Sequence, residues 1–191
     1  GNLLSEFKET FTTQIGIDIN QGMLDVAKSE TDATLIKGSV CDTGLRDSVA
    51  DVITLTGSVL GYVDSLESAF EELHRIVKPT GAIIFTLFTP KSTGETFEMN
   101  MYGETKDGVQ INTQYEYRAI ENGDKIEVKF TFTPENSTES LSDTTILTPY
   151  DPSQVRETAL QYSFEYYEKF ERQNYVMYML TPTDQKPITA Y

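Results

Sequence analysis

The chain has 191 residues, room for one domain with a sizeable core or for one domain carrying a modest insertion. Its net charge of −15 argues against a nucleic-acid partner, because phosphate is held by a field of the opposite sign. No run of about 18 apolar residues is present, so no membrane helix is expected, and a single cysteine, Cys41, makes no internal disulfide and suits a cytoplasmic location.

Leu3, Leu4, Phe7 and Phe11 fall on one helical face. Residues 14–19, Gln-Ile-Gly-Ile-Asp-Ile, read as a short buried strand ending in an acid. Asn20 can cap a second helix whose Met23, Leu24 and Ala27 share a face. Residues 33–36 and 52–55 are the next expected strands. Asp64 with Glu67 predicts a capping box for a helix that buries Leu66, Phe70, Leu73 and Val77. Pro79-Thr80-Gly81 should end that helix, and residues 82–85 follow as a continuous apolar strand. Short apolar strands alternating with helices predict a parallel sheet covered on both faces, with its ligand crevice at the carboxyl ends of the strands.

From about residue 95 the period changes to two. Val109, Ile111, Thr113, Tyr115 and Tyr117 alternate with polar residues, and Ile126, Val128, Phe130 and Phe132 alternate back after Asn122-Gly123. Asp107-Gly108 marks an earlier turn, and residues 144–148 a further strand. The expectation is an antiparallel meander of three or four strands, inserted over residues 93–149. Its apolar face must cover the core domain, a substrate or a second subunit. Asp151, Pro152 and Gln154 then predict a capped helix, and residues 164–167 and 175–180 two closing strands.

Several of these segments resemble the class I S-adenosylmethionine-dependent methyltransferases. Ile15-Gly16-Ile17-Asp18-Ile19 with Met23-Leu24 is similar to that family's second strand and following helix, residues 49–54 to its fourth strand, and residues 73–81 to its turn into the fifth. The meander is similar to that of sugar and glycine-type N-methyltransferases. The resemblance implies a Rossmann-like α/β fold with a β insertion. It also implies S-adenosylmethionine as cofactor and a small-molecule amine or hydroxyl as methyl acceptor. The domain would comprise residues 1–92 and 150–191. The family's glycine-rich loop would end at Gly1, so residues preceding Gly1 are expected in the natural protein.

On this resemblance Gly1, Asp18, Ile19, Met23, Ser39, Val40, Leu55, Thr56 and Gly57 would bind the cofactor, and Tyr62 would serve the transfer. Asp18 at a strand end can accept hydrogen bonds from both ribose hydroxyls. Ile19 and Met23 would sandwich the adenine. Ser39 stands where the family carries an acid, with the Val40 N–H beside it, and Asp42 is a substitute further along. Residues 55–57 would flank the methionine portion, with Gly61 and Tyr62 on the acceptor side. Tyr62 would orient an amine or take a proton. His74 reads as structural, and one His with one Cys makes a metal site improbable. Two other functions fit parts of the pattern. A nicotinamide-dependent oxidoreductase would use Gly1 and Asp18 and want a Tyr–Lys pair, as in Tyr102 and Lys106. A non-catalytic relative would use the meander only for association, for instance in a homodimer.

Overall fold

The computed structural model describes residues 2–88, 97–104, 108–120, 124–172 and 175–183. Helix α1 (Asn2–Glu6) stops well short of the expected apolar face and gives way to turns over residues 7–10. Leu3, Phe7 and Phe11 stay exposed, the two rings meeting edge to face at 6.0 Å. With no surface covering that stripe, little holds a short helix beyond its first turn.

Strand β1 (Ile15–Asp18) pairs in parallel with β2 (Thr34–Lys37) across helix α2 (Gln21–Lys28). Asn20 caps α2 as expected, its side-chain oxygen accepting the N–H of Gly22 at 2.8 Å and of Met23 at 3.3 Å. Leu24 and Ala27 are buried, but Met23, expected on the same buried face, is 58% exposed. β1 is not the buried strand that its composition suggests. It pairs with β2 alone among the described strands, and Ile15 lies open to solvent.

The second sheet has the order β3-β4-β10-β9. β3 (Ala50–Leu55) and β4 (Val77–Phe88) are parallel, joined across helix α3 (Leu66–Ile76). Helix α4 (Pro152–Gln161) leads into β9 (Phe164–Arg172), and β10 (Tyr175–Pro182) returns antiparallel to both β9 and β4. The Rossmann-like α/β class is therefore present. Its parallel part, expected as one sheet, divides among the described residues into a pair and a four-stranded unit. The main core fills the space between α3, α4 and the second sheet. Phe85 stacks on Tyr178 at 5.2 Å, and Phe70 stands edge-on to Phe85 at 6.4 Å and tilted against Phe164 at 5.9 Å. Such aromatic pairs add about 0.5–1.5 kcal/mol each beyond their burial.

Both predicted ends of α3 shift. Its cap is Ser65, not Asp64: the Ser65 hydroxyl accepts the N–H of Ser68 at 3.1 Å and donates to Glu67 at 2.9 Å. The helix ends at Ile76, three residues ahead of Pro79. Residues 78–81 then bulge between two paired points, Ala50 with Val77 and Val52 with Ala82. A Cβ on Gly81 would stand 2.9 Å and 3.0 Å from the carbonyl oxygens of Asp51 and Ala50, so the bulge closes only over glycine. The box on α4 forms as expected, with Asp151 and Gln154 bonding reciprocally.

The insertion is a four-stranded antiparallel meander, β5 (Phe97–Glu104), β6 (Gln110–Ile120), β7 (Lys125–Pro134) and β8 (Leu141–Leu147). The expected turns at Asp107 and Asn122-Gly123 lie outside the described residues, whereas Gly108 takes a φ of 79°. One face buries Tyr117, Ile126, Val128 and Leu147, with Tyr115 and Phe130 against them. The opposite face carries the ion pairs Arg118–Glu127 and Lys129–Glu116. This is the two-sided pattern of an antiparallel sheet with one wet face.

Candidate functional site

The carboxyl ends of β1, β2 and β3 carry the residues singled out in the sequence. At the tip of β1 the half-buried Asp18 accepts the Asn20 N–H on Oδ1 at 2.8 Å, which leaves Oδ2 without a partner among the described residues. Its backbone carbonyl accepts the N–H of Gly38 at 3.1 Å, so the tips of β1 and β2 are tied together. Beside the carboxylate Ile19 is 67% exposed and Met23 58%. Two large apolar side chains left open next to an acid make a step that suits a ligand with a flat apolar face and neighbouring hydroxyls.

After β2 the chain closes a tight turn. Ser39 and Asp42 exchange backbone hydrogen bonds at 3.2 and 3.0 Å, and the Ser39 hydroxyl accepts the Cys41 N–H at 3.2 Å. The Val40 side chain packs on the main core, while its N–H donates to no described residue. Asp42 is exposed on the far side of the turn.

After β3 the three residues diverge. Leu55 turns its side chain into the core, so only its backbone faces the crevice with Thr56 and Gly57. Gly57 and Ser58 both take left-handed backbone, at φ 76° and 59°, and Ser58 N–H donates to Thr86 Oγ1 at 3.2 Å. This double reversal delivers the chain into a 3-10 turn, Val59–Tyr62. The meander docks here. Thr148 N–H donates to the Gly61 carbonyl at 2.7 Å, and a Cβ on Gly61 would meet Thr148 O at 3.3 Å. Tyr62 is 47% exposed, lies beside Thr145 of β8 and has its phenol pushed above the usual range by partial burial. Tyr117, more deeply buried, is pushed up to about 12 by burial, with Tyr115 and Tyr62 adding to the effect. At neutral pH these phenols stay protonated, so they donate hydrogen bonds.

Gly1 and Lys106 lie outside the described residues. His74 sits in the last turn of α3 with its ring edge-on to Phe164 at 5.7 Å, a packing role as expected. No cluster of metal-ligating side chains and no membrane-length apolar helix occurs among the described residues. An open cleft of about 430 Å³ lined by Ser5, Lys8, Thr12, Gln14 and Asp32 lies at the amino ends of β1 and β2, opposite the residues above.

Residues 1–85 match the model of the methyltransferase domain family. Over the whole chain the fold is that of S-adenosylmethionine-dependent methyltransferases of known structure. Two solved structures share its fold at low identity. DesVI of Streptomyces venezuelae superposes with a TM-score of 0.76 at 18% identity, over 94% of this chain and 78% of that one. CalS10 of Micromonospora echinaspora, an amino pentose methyltransferase, superposes with a TM-score of 0.73 at 14% identity, over 94% and 78%. Among curated proteins, the biotin biosynthesis bifunctional protein BioHC of Saccharophagus degradans is 28% identical over 113 residues, 55% of this chain. The match spans only 20% of that longer protein.

Sequence reasoning singled out the three strand tips but not what fastens the second one. Thr43 and Glu72 form a buried polar pair behind the Ser39–Asp42 turn, and the partly exposed Arg75 grips the same carboxylate. Glu72 gave no usable signal, because an acid followed three residues later by an arginine on a helix reads as an ordinary solvated pair. Tyr115 and Tyr117 near Tyr62 were legible as one face of a strand, but not as neighbours of the β3 tip.

Proposed function

We propose that the protein transfers a methyl group from S-adenosylmethionine to an amine or hydroxyl of a small molecule. The observation that carries this reading is the exposure of Ile19 and Met23, the large apolar residues that follow Asp18 at its strand end. Burying two such side chains under an adenine would stabilise the complex by roughly 1.5–3 kcal/mol each when complete. Asp18 would accept from the ribose hydroxyls, Val40 N–H and Ser39 Oγ would meet the adenine edge, and Thr56 with Gly57 would flank the amino-acid end. Gly1 would end the family's glycine-rich loop by resemblance alone.

The cofactor, when bound, supplies an electrophilic methyl on a positively charged sulfur. What the protein must add is alignment and exclusion of water rather than strong acid or base catalysis. Tyr62 stands between the β3 tip and β8 with a neutral phenol, which suits it to orient an acceptor by hydrogen bonding. Its raised pKa makes it a poor general base at neutral pH. The meander roofs this side of the crevice through Thr148 and Leu147. Support for a small acceptor comes from CalS10, an amino pentose methyltransferase of the same fold.

Isothermal titration of the natural full-length protein with S-adenosylhomocysteine tests the reading, with NAD as the competing ligand. We expect saturable binding of the first and none of the second. Asp18→Ala should weaken that binding by about tenfold or more, the worth of a charge-assisted contact. Native affinity in Asp18→Ala would remove the assignment of the ribose site.

A further inference from the structure

We infer that Glu72 is a positioning residue for the adenine end of the cofactor site, acting through Thr43 on the Ser39–Asp42 turn. The inference rests on the cofactor reading above and adds to it a part of the molecule that touches no ligand.

Glu72 lies on α3, packed inside the main core, and is 8% exposed. Its Oε1 accepts the Thr43 N–H at 2.8 Å and the Thr43 hydroxyl at a short separation. Arg75 holds the same carboxylate in a two-point grip, Nε to Oε2 and Nη2 to Oε1, both at 2.7 Å. The third arm of Arg75, Nη1, donates to Asp47 at 2.6 Å. The Ser48 and Val49 N–H groups donate to the carbonyls of Arg75 and Ile76, both at 2.9 Å. The segment from Thr43 to Val49 is thus fastened at both ends to the last turn of one helix.

The fastened segment begins one residue after the turn that presents Ser39 and Val40. Within the turn, bonds between Ser39, Cys41 and Asp42 fix its internal shape. They do not fix where it stands relative to the second sheet. The Thr43–Glu72 contact, together with the packing of Val40 and Cys41 on the main core, sets that placement from the side of α3. A carboxylate in such a place costs desolvation that an apolar residue would avoid, so its use indicates a need for direction rather than for packing. Two donors from one residue converging on one oxygen define a position far more narrowly than an apolar contact does. Adenine read by one N–H and one hydroxyl is sensitive to such placement, since a shift of about 1 Å can cost a hundredfold.

The test uses the natural full-length protein with Glu72→Gln, Thr43→Val and Thr43→Ser. Binding of S-adenosylhomocysteine and of adenosine alone is measured by calorimetry, and KM for S-adenosylmethionine with kcat by methyl transfer. Glu72→Gln and Thr43→Val should weaken both ligands by the same factor, roughly tenfold to a hundredfold, and raise KM with kcat at saturation little changed. Thr43→Ser keeps the N–H and the hydroxyl and should restore native affinity. Should Glu72→Gln fail to fold, the Thr43 pair carries the comparison. Native affinity in Thr43→Val would overturn the inference, as would a fall in kcat with KM unchanged. A natural protein that binds no S-adenosylhomocysteine would overturn the cofactor reading itself, and this inference with it.

Discussion

The two halves of the α/β part are built to different standards. Around β3, β4, β9 and β10, side chains such as Leu60, Phe70, Ile83, Phe85, Phe164 and Tyr178 are closed off almost completely from solvent. Around β1 and β2 only Leu24 and Ala27 are buried, while Ile15, Ile19, Met23 and Val26 stand open. The first half holds the fold together. The second half carries Asp18, Ile19, Met23 and Ser39, the residues proposed to meet the cofactor. The lesson is that the packed core and the proposed binding residues sit on different strands, and that a clamp from α3 links them.

The sharpest way to break this contrast is to empty the packed half. Phe70→Ala should cost about 3–5 kcal/mol in urea unfolding, enough to abolish cooperative folding of a marginal domain. If it costs less than a comparable change at Leu24, the apportioning is wrong. Gly81→Ala tests the bulge at the foot of β4. Its Cβ would press on two backbone oxygens that cannot swing away, and a loss of about 1–3 kcal/mol is expected in the same assay.

The clamp has its own signature in pH. Arg75 chiefly, with the two Thr43 donors adding to it, holds the Glu72 carboxyl down from its ordinary 4.5 to about 2. A group whose folded pKa is depressed adds stability that is complete above its ordinary value and is lost as pH falls through the folded one. The urea midpoint should therefore decline between about pH 4.5 and 2, and the decline should flatten in Glu72→Gln. An unchanged slope would mean that other carboxylates account for the acid loss. The smallest effect is expected in the open half. Ile19→Thr should leave unfolding within about 0.5 kcal/mol of the native value while weakening S-adenosylhomocysteine severalfold. A large stability loss there would show that Ile19 is core, and would remove it from the site.

The sequence announced the alternation of strands and helices well, because buried parallel strands leave short apolar runs and amphipathic helices leave a 3.6-residue period. The meander was legible for a related reason, since a sheet with one wet face must alternate. Local caps divided: Asn20 and Asp151 cap as anticipated, but Ser65 displaced Asp64 because the helix starts one residue later than the acid pattern suggested. Leu55 looked like a crevice residue and is core, since its position says that it ends a strand and not which face it takes.

By itself, then, the amino-acid order determined the elements, their approximate ends and the chemistry offered at each strand tip, because those follow from spacing between near neighbours. Only the tertiary structure decided that β10 returns antiparallel between β4 and β9, and that Tyr62 meets Thr145 of the insertion. It also decided that Glu72 grips a threonine 29 positions away. Contacts of that kind depend on how faces and edges meet across long stretches of chain, and such meetings leave no period to read.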